Sequence, residues 1–463
     1  MPLILGTNSI KDTGYDVANS VRFNDNDSPS MYKTPGSSGN RRTWTFSTWF
    51  KRGNIGSSQW ILDAYGGSSD EFHIYISSGN AIGIYTIGGG FGDNKSISTS
   101  NLVRDCSAWY HLVVRCDTTQ GTASNRLRIY LNGTECSYGT YNNFDENGEG
   151  QVSESGTKHW IGRRNAGDYF DGYLAETVLV DGSSLAPTSF GEYDSDTPTI
   201  WKPIDVSGLT FGTNGFYLDY EDSSNLGNDA NGGTDFTEAN LAATDQATDT
   251  PTNNFCTLNS LTGKKGNNTT FSEGNLKSVD TGATDIDPNL YATFGLSAGT
   301  WYFEMKAEAI TAGRSASIAL LVHDGKGPES YADATTCNLY YEKNSSTNKI
   351  RKFASDIETG LADNAADDIF GVALDIDNGT VQFYKNGSTY GSQVTGLSSS
   401  GKTTFISMFG EGGAGRAATC NVNFGNPAFT ISSGNADANG YGSFEYTPVG
   451  YALCTKNLAE FGG

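Results

Sequence analysis

Apolar and polar residues alternate with a period of two along much of this chain, and the plainest case is the stretch FGVALDIDNGTVQFYKNGSTY, residues 370–390. Phe370, Val372, Leu374 and Ile376 alternate with Gly371, Ala373, Asp375 and Asp377, which places one set on each face of a strand. Val381 and Phe383 resume the alternation after Asn378-Gly379. That dipeptide tolerates positive φ and predicts a type I′ turn, and Asn386-Gly387 predicts a second. The phrase occurs once more. Tyr110, Leu112, Val114 and Cys116 alternate with His111, Val113 and Arg115, and Leu127, Ile129 and Leu131 then run into Asn132-Gly133-Thr134. IYLNGT and FYKNGS are two copies of one strand-and-turn unit.

The same period predicts strands over residues 59–64, 71–76, 81–86, 159–163 and 173–180, and over a segment in which Trp44, Phe46 and Phe50 share a face. Further on, GTWYFEMKAEAI sets Trp301, Phe303 and Met305 on one face, followed by strands over 317–322, 337–342, 349–353, 404–409 and 419–424. No window sustains an apolar 3.6-residue repeat for more than two or three turns. Short strands broken by Gly and Asn predict an all-β chain of two antiparallel β-sandwich (jelly-roll) domains, a size that 463 residues accommodates. Alternation stops after Leu218, so residues 206–279, rich in Asx and Gly, are expected to be a loop-rich connector with one strand over 216–220. Residues 1–17 carry little pattern and are expected to be an arm lying on a partner or on the first domain.

Charge and cysteine usage narrow the function classes. A formal net charge of −22 argues against a nucleic-acid partner, which would call for clustered Lys and Arg. No run of about 18 apolar residues offers a membrane span. The start, MPLILGTNSIKDTG, lacks a basic flank and a long apolar stretch, so no secretory leader is expected. Seven scattered cysteines without a CxxC pair read as buried thiols made in a reducing compartment. The Asn-x-Ser/Thr sites at Asn132, Asn378 and Asn386 coincide with turns, which explain them better than glycosylation.

Two resemblances follow from the order of motifs. TWTFSTWFKRG, WYHLVVRCD, LRIYLNGTEC, HWIGRR and YFDGYLAETVLVDGSSLAPTSFGEY occur in the order of a laminin-G-like, concanavalin A-like lectin domain over residues 18–205, with a short helix over 186–193. WYFEMK, DIFGVALDIDNGTVQFYKNG and CNVNFGNPAF resemble a SPRY domain, itself a concanavalin-like sandwich, over residues 280–463, with the tail from Gly442 as a terminal strand. A lectin-like module joined to a SPRY-like one by a polar linker resembles virion proteins of tailed phages. The resemblance implies a fiber, appendage or decoration protein.

The chemistry-bearing residues are sparse. Paired carboxylates of the Glu-x-Asp-x-x-Glu kind are absent, and the acids at 192–196 and at 304 and 308 have the wrong spacing for a glycosidase. The four histidines, His73, His111, His159 and His323, show no metal spacing and read as structural strand residues. No nucleophile elbow or phosphate loop is present. Calcium is the candidate cofactor, with Asp222, Asn225, Asn228 and Asp229 as candidate ligands. A second acidic loop joins rings to polar groups. There Tyr138, Tyr141, Phe144, Asp145 and Asn147 are candidate glycan-binding residues, although the same rings would equally anchor the loop to its sheet.

The expected function is therefore that of a non-enzymatic virion structural protein. Its partners would be a capsid or tail protein and a host-surface glycan, and it would form a homo-oligomer, with a trimer favoured by virion symmetry. It would be made in the host cytoplasm and reside in the virion. A bacterial carbohydrate-binding or adhesion protein is the alternative, and a glycoside hydrolase the more remote one.

Overall fold

The computed structural model describes residues 4, 9, 11–92, 94–261, 269–280, 289–310, 315–323, 337–342, 348–352, 355–397, 403–410 and 418–462. The fold is all-β, with one short α-helix, Thr455–Phe461, among the described residues. It divides into two compact units, one of residues 13–252 and one of residues 1–12 with 253–463.

The first unit is a sandwich of two eight-stranded antiparallel sheets. The long strands Thr43–Arg52 and Gly172–Asp181 lie side by side in one sheet, and Gln59–Gly67, Asp70–Ile76 and Ala81–Ile87 form the middle of the other. Trp44, Phe46 and Phe50 from the first sheet meet Leu62, Phe72, Ile74 and Ile84 from the second, and all are fully buried. At about 25 cal/mol per Å² of apolar surface, burial of these side chains is what holds the two sheets together. The reverse face of the first sheet has a core of its own. Val113, Val178 and Val180 are covered by Phe190, Val206, Phe211 and Tyr217, while Val17 packs with Trp49 and Trp201.

The second unit repeats the plan with a seven-stranded and a six-stranded sheet. Thr300–Ile310 pairs with Ile369–Asp375 in the larger one, and Trp301, Phe303 and Met305 lie buried with Phe370, Val372, Val381 and Phe383, as their alternation predicts. The motifs WYFEMK and CNVNFG lie on neighbouring strands, Glu304 opposite Asn423.

The two copies of the Asn-Gly phrase adopt one conformation. Asn132 and Gly133 have φ of 47° and 76°, Asn386 and Gly387 of 50° and 76°, and each pair links strands in two-residue register, Leu131 opposite Thr134 and Lys385 opposite Ser388. In both, the asparagine seals the end of the next strand. Asn132 donates its N–H to the carbonyl of His111 (2.9 Å) and accepts that residue's N–H on Oδ1 (2.8 Å), and Asn386 does the same with Ile369 (2.8 and 2.9 Å). The expectation for Asn378-Gly379 is corrected. Asp375 pairs with Thr380, leaving a four-residue loop in which Gly379 has positive φ and Asn378 does not. Asn378 instead binds back to both carboxylate oxygens of Asp375, 2.9 Å through its N–H and 2.8 Å through Nδ2.

Other expectations also change. Residues 206–252, read as a connector, belong to the first sandwich: Phe216–Leu218 pairs with Gly172–Asp181, Thr237–Ala239 with Ser30–Lys33, and Gln246–Ala247 with Ser20–Phe23. The stretch lacks alternation because much of its anchoring is polar. Asp249 is fully buried, 2.7 Å from Lys51 Nζ, and accepts the Trp109 indole N–H at 2.9 Å. The arm expected over residues 1–17 is divided. Ile4 exchanges hydrogen bonds with Thr293 and Gly295 in the second unit, whereas residues from Thr13 onward belong to the first. The helix expected over 186–193 is a 3₁₀ turn, Pro187–Ser189, followed by the strand Gly191–Tyr193. The tail from Gly442 is a pinned coil ending in Thr455–Phe461 rather than a terminal strand.

The buried pair gives a direct test of how residues 206–252 are held. Asp249→Ala leaves the Lys51 ammonium buried without its partner and should cost the first unit about 3–5 kcal/mol in denaturant unfolding, while Lys51→Met with Asp249→Leu should recover much of the loss.

Candidate functional site

The residues singled out for glycan binding do not converge. Tyr138 accepts the Ile129 N–H at 3.0 Å, Tyr141 donates to the Leu127 carbonyl at 2.6 Å, and the two rings meet edge to face at 4.9 Å. Phe144 is buried and stacks on Phe91 at 4.4 Å. The rings therefore fasten the loop to the sheet. Asp145 is exposed and pairs with Lys95 at 3.2 Å, and Asn147 is exposed with a φ of 59°.

The calcium ligands do not converge either. Asp222 is spent on an Asx turn, accepting the N–H and Oγ–H of Ser224. Asn225 donates to Asp235 at 2.9 Å, and Asn228 is half-buried. Asp229 is buried, with Oδ1 accepting the N–H of Tyr217 and of Asn231 and Oδ2 3.0 Å from Lys33 Nζ. A lysine already neutralises that carboxylate, so these residues do not fit a calcium ion.

The described groups that do meet lie on the outer face of the second sheet. Strand parity puts Phe72, Ile74 and Ile76 into the core and turns Glu71, His73 and Tyr75 outward. His73 sits between two carboxylates, Nδ1 2.9 Å from Asp63 and Nε2 2.8 Å from Glu71, and Arg164 approaches Glu71 at 3.6 Å. All but Arg164 are buried, so this is a closed polar cluster beneath the surface.

Half-buried rings surround it. Trp60 stacks on Tyr75 at 5.2 Å, Tyr85 lies parallel to His73 at 6.1 Å, and Tyr32 packs at 4.6 Å on Trp160, which is itself buried. Cations complete the patch: the Arg163 guanidinium lies between Trp160 (4.6 Å) and Tyr169 (5.0 Å), and Lys158 Nζ is 4.2 Å from the centre of the Tyr32 ring. The hairpin carrying Arg163 and Arg164 packs against the strand Gln59–Gly67 and brings both cations to this face. Among the described residues neither Lys158 nor Arg163 makes an ion pair. Sequence reasoning missed this patch. Its signal was present in the outward parity of EFHIYI, where Glu71, His73 and Tyr75 share one face.

Two of the other histidines are structural, as expected. The Trp201 indole N–H donates to His111 Nδ1 at 2.9 Å, so Nε2 carries the proton towards Ser47 Oγ at 2.8 Å, and burial pushes the ring's pKa down to about 3. His159 accepts the Ser153 N–H, and burial pushes it down to about 4. His323 lies in the strand Ser315–His323, and its side chain is outside the described residues. Six cysteines are buried and outside any disulfide among the described residues, and the side chain of Cys337 is likewise outside the described residues.

With the geometry in view, the comparisons place part of the chain. Residues 26–186 match the concanavalin A-like lectin/glucanases superfamily. The match spans about a third of the chain and contains the ring-lined face. No curated protein matches the sequence. Among solved structures, the SPRY domain of human HERC1 is 11% identical over 36% of this chain and 96% of its own, with a TM-score of 0.29. A heptameric SAP-like pentraxin from Limulus polyphemus is 17% identical over 37% of this chain and 80% of its own, TM-score 0.28. A protein of Bacteroides ovatus described as carbohydrate-binding is 16% identical over 48% of this chain and 58% of its own, TM-score 0.34.

One buried acid of the lectin-like domain has a pH signature. Glu176 interrupts the strand Gly172–Asp181 at a bulge with a φ of 49°, which turns its carboxylate to the Tyr217 hydroxyl, 3.0 and 2.9 Å from the two oxygens. Burial pushes its pKa up to about 8, despite the Tyr217 hydrogen bond. The folded carboxyl keeps its proton where the unfolded one, near 4.5, has lost it, so stability falls as pH rises from about 4.5 to 8. Glu176→Gln should remove that slope and exceed the wild type by about 2–4 kcal/mol at pH 8.5 while matching it near pH 4.5, read from denaturant midpoints of the first unit.

Proposed function

We propose that this chain is a non-enzymatic attachment protein whose first unit binds glycans across the ring-lined outer face of its second sheet. The observation that carries the reading is the patch of Trp60, Tyr75, Tyr85, Tyr32 and Trp160, with Lys158 and Arg163 set among the rings. Rings stack on the apolar faces of pyranoses, and hydrogen-bonding groups beside them orient the hydroxyls. In a chain of net charge −22, two cations without ion-pair partners among the described residues favour glycans that carry carboxylate or sulfate groups.

A binding role without catalysis agrees with the closed state of Asp63, Glu71 and His73, whose polar atoms face one another rather than an open cleft. The setting proposed is a tailed-phage virion, in which the chain is a fiber, appendage or decoration component. There it would assemble as a homo-oligomer, a trimer by preference, on a capsid or tail protein. Module order supports this setting, and buried cysteine thiols agree with synthesis in a reducing cytoplasm. No helix among the described residues is long and apolar enough to cross a membrane.

Two measurements test the proposal. On a glycan array the protein should retain acidic polysaccharides, and Lys158→Ala with Arg163→Ala should weaken that binding at least about tenfold while Asp145→Ala leaves it unchanged. An array without a bound glycan, or a double variant that binds as the wild type does, would overturn the binding role. Gold-labelled antibody should decorate phage particles; unlabelled particles from a phage that encodes the chain would remove the virion setting.

A further inference from the structure

We propose that the second unit carries a separate pocket for a neutral saccharide, floored by the hairpin of Ile369–Asp375 and Thr380–Lys385. It lies outside the ring-lined face of the first unit and does not depend on that reading. Parity builds the floor. With Phe370, Val372, Leu374, Val381 and Phe383 directed into the core, Asp375, Thr380, Gln382 and Tyr384 turn to the outer face.

The opposite wall is coil from the C-terminal stretch, and buried carboxylates fix it in place. Asp437 accepts the N–H groups of Asn439, Tyr441 and Ala452 and the Nδ2 of Asn457, at 2.7 to 2.9 Å. Glu304, fully buried, accepts the N–H groups of Glu445 (3.0 Å) and Tyr446 (2.9 Å). Tyr451 bridges the adjacent strand, donating its N–H to Thr300 and accepting that of Tyr302. Between floor and wall lies a cavity of about 400 Å³. That is within the range of small-ligand pockets, about 300–1,000 Å³, and its walls are held before any ligand arrives.

The lining decides the class of ligand. Among the described residues no Lys, Arg or His lines the cavity, and the one acid that does, Asp375, already has both oxygens engaged by Asn378. What lines the space is a set of neutral donors and acceptors, the Gln393 amide and the hydroxyls of Thr300, Thr380 and Tyr384, with the Tyr384 ring and with Gln382, whose Nε2 is already spent on the carbonyls of Phe383 (2.8 Å) and Gly391 (3.1 Å). Val449 stands at the rim with 56% of its surface exposed. Among the described residues anionic ligands find no cation here and meet a carboxylate. A neutral sugar finds in Gln393 an amide that can both donate to and accept from adjacent hydroxyls, and apolar surface for its C–H face.

The test uses the full chain carrying Lys158→Ala and Arg163→Ala, so that the first unit's face is disabled. A panel of neutral di- and trisaccharides of glucose, galactose, mannose and N-acetylhexosamine units is screened by saturation-transfer NMR and titrated by calorimetry. At least one should bind, and Gln393→Ala and Tyr384→Ala should each weaken it about tenfold or more with unfolding midpoints unchanged. The proposal is overturned if no neutral saccharide binds, if both variants bind as their parent does, or if an uncharged peptide from a random library occupies the pocket in place of sugar. Because the parent lacks the first unit's cations, a failure here leaves the reading of that face intact, and the reverse holds equally.

Discussion

A sandwich of two sheets buries one face of each against the other, and each sheet then has a second face to account for. Strand parity makes this unavoidable: a residue that enters the core sends its neighbours to the far side. In the first unit one far side is closed by Phe190, Val206, Phe211 and Tyr217, so that Val113, Val178 and Val180 are as dry as the main core. The far side of the other sheet carries Trp60, Tyr75, Tyr85 and the polar cluster of Asp63, Glu71 and His73. The second unit handles the problem with its C-terminal coil, where Phe444 and Ala452 pack on Phe255 and Tyr302.

Covering a sheet with coil brings a polar backbone against a buried surface, and its N–H groups need acceptors there. Buried carboxylates supply them. Glu304 holds the N–H groups of 445 and 446, Asp437 those of 439, 441 and 452, and Asp229 those of 217 and 231. Part of this chain's acidity is thus internal scaffolding rather than a solvated coat. The cost of burying such charges is offset where a cation or several donors meet them, as Lys51 and Trp109 meet Asp249.

Much of the candidate site escaped the sequence for a related reason. Rings with polar neighbours in an irregular loop, Tyr138 to Asn147, look like a sugar site when read along the chain. In space the hydroxyls of Tyr138 and Tyr141 are consumed by the backbone of Ile129 and Leu127. The rings that remain half-exposed come from four separate strands, and Tyr32 reaches Trp160 only because Ser30–Lys33 pairs with Lys158–Ile161. Spacing along the chain carries no information about such cross-strand neighbours.

Local pattern by itself determined which residues form strands, which of their side chains share a face, and that Asn132-Gly133 and Asn386-Gly387 make two-residue turns. These depend on steric preferences within a few residues. Whether a turn signal is used depended on pairing register, which gave Asn378-Gly379 a longer loop than its sequence predicts. Only the tertiary structure decided that residues 206–252 complete the first sandwich, because their anchors are single polar groups such as Asp249 that have no period. It also decided which outer face is covered and which is left uncovered. A period of two distinguishes a strand's two faces, but which segment comes to cover the outer one is settled by contacts between residues far apart in the chain.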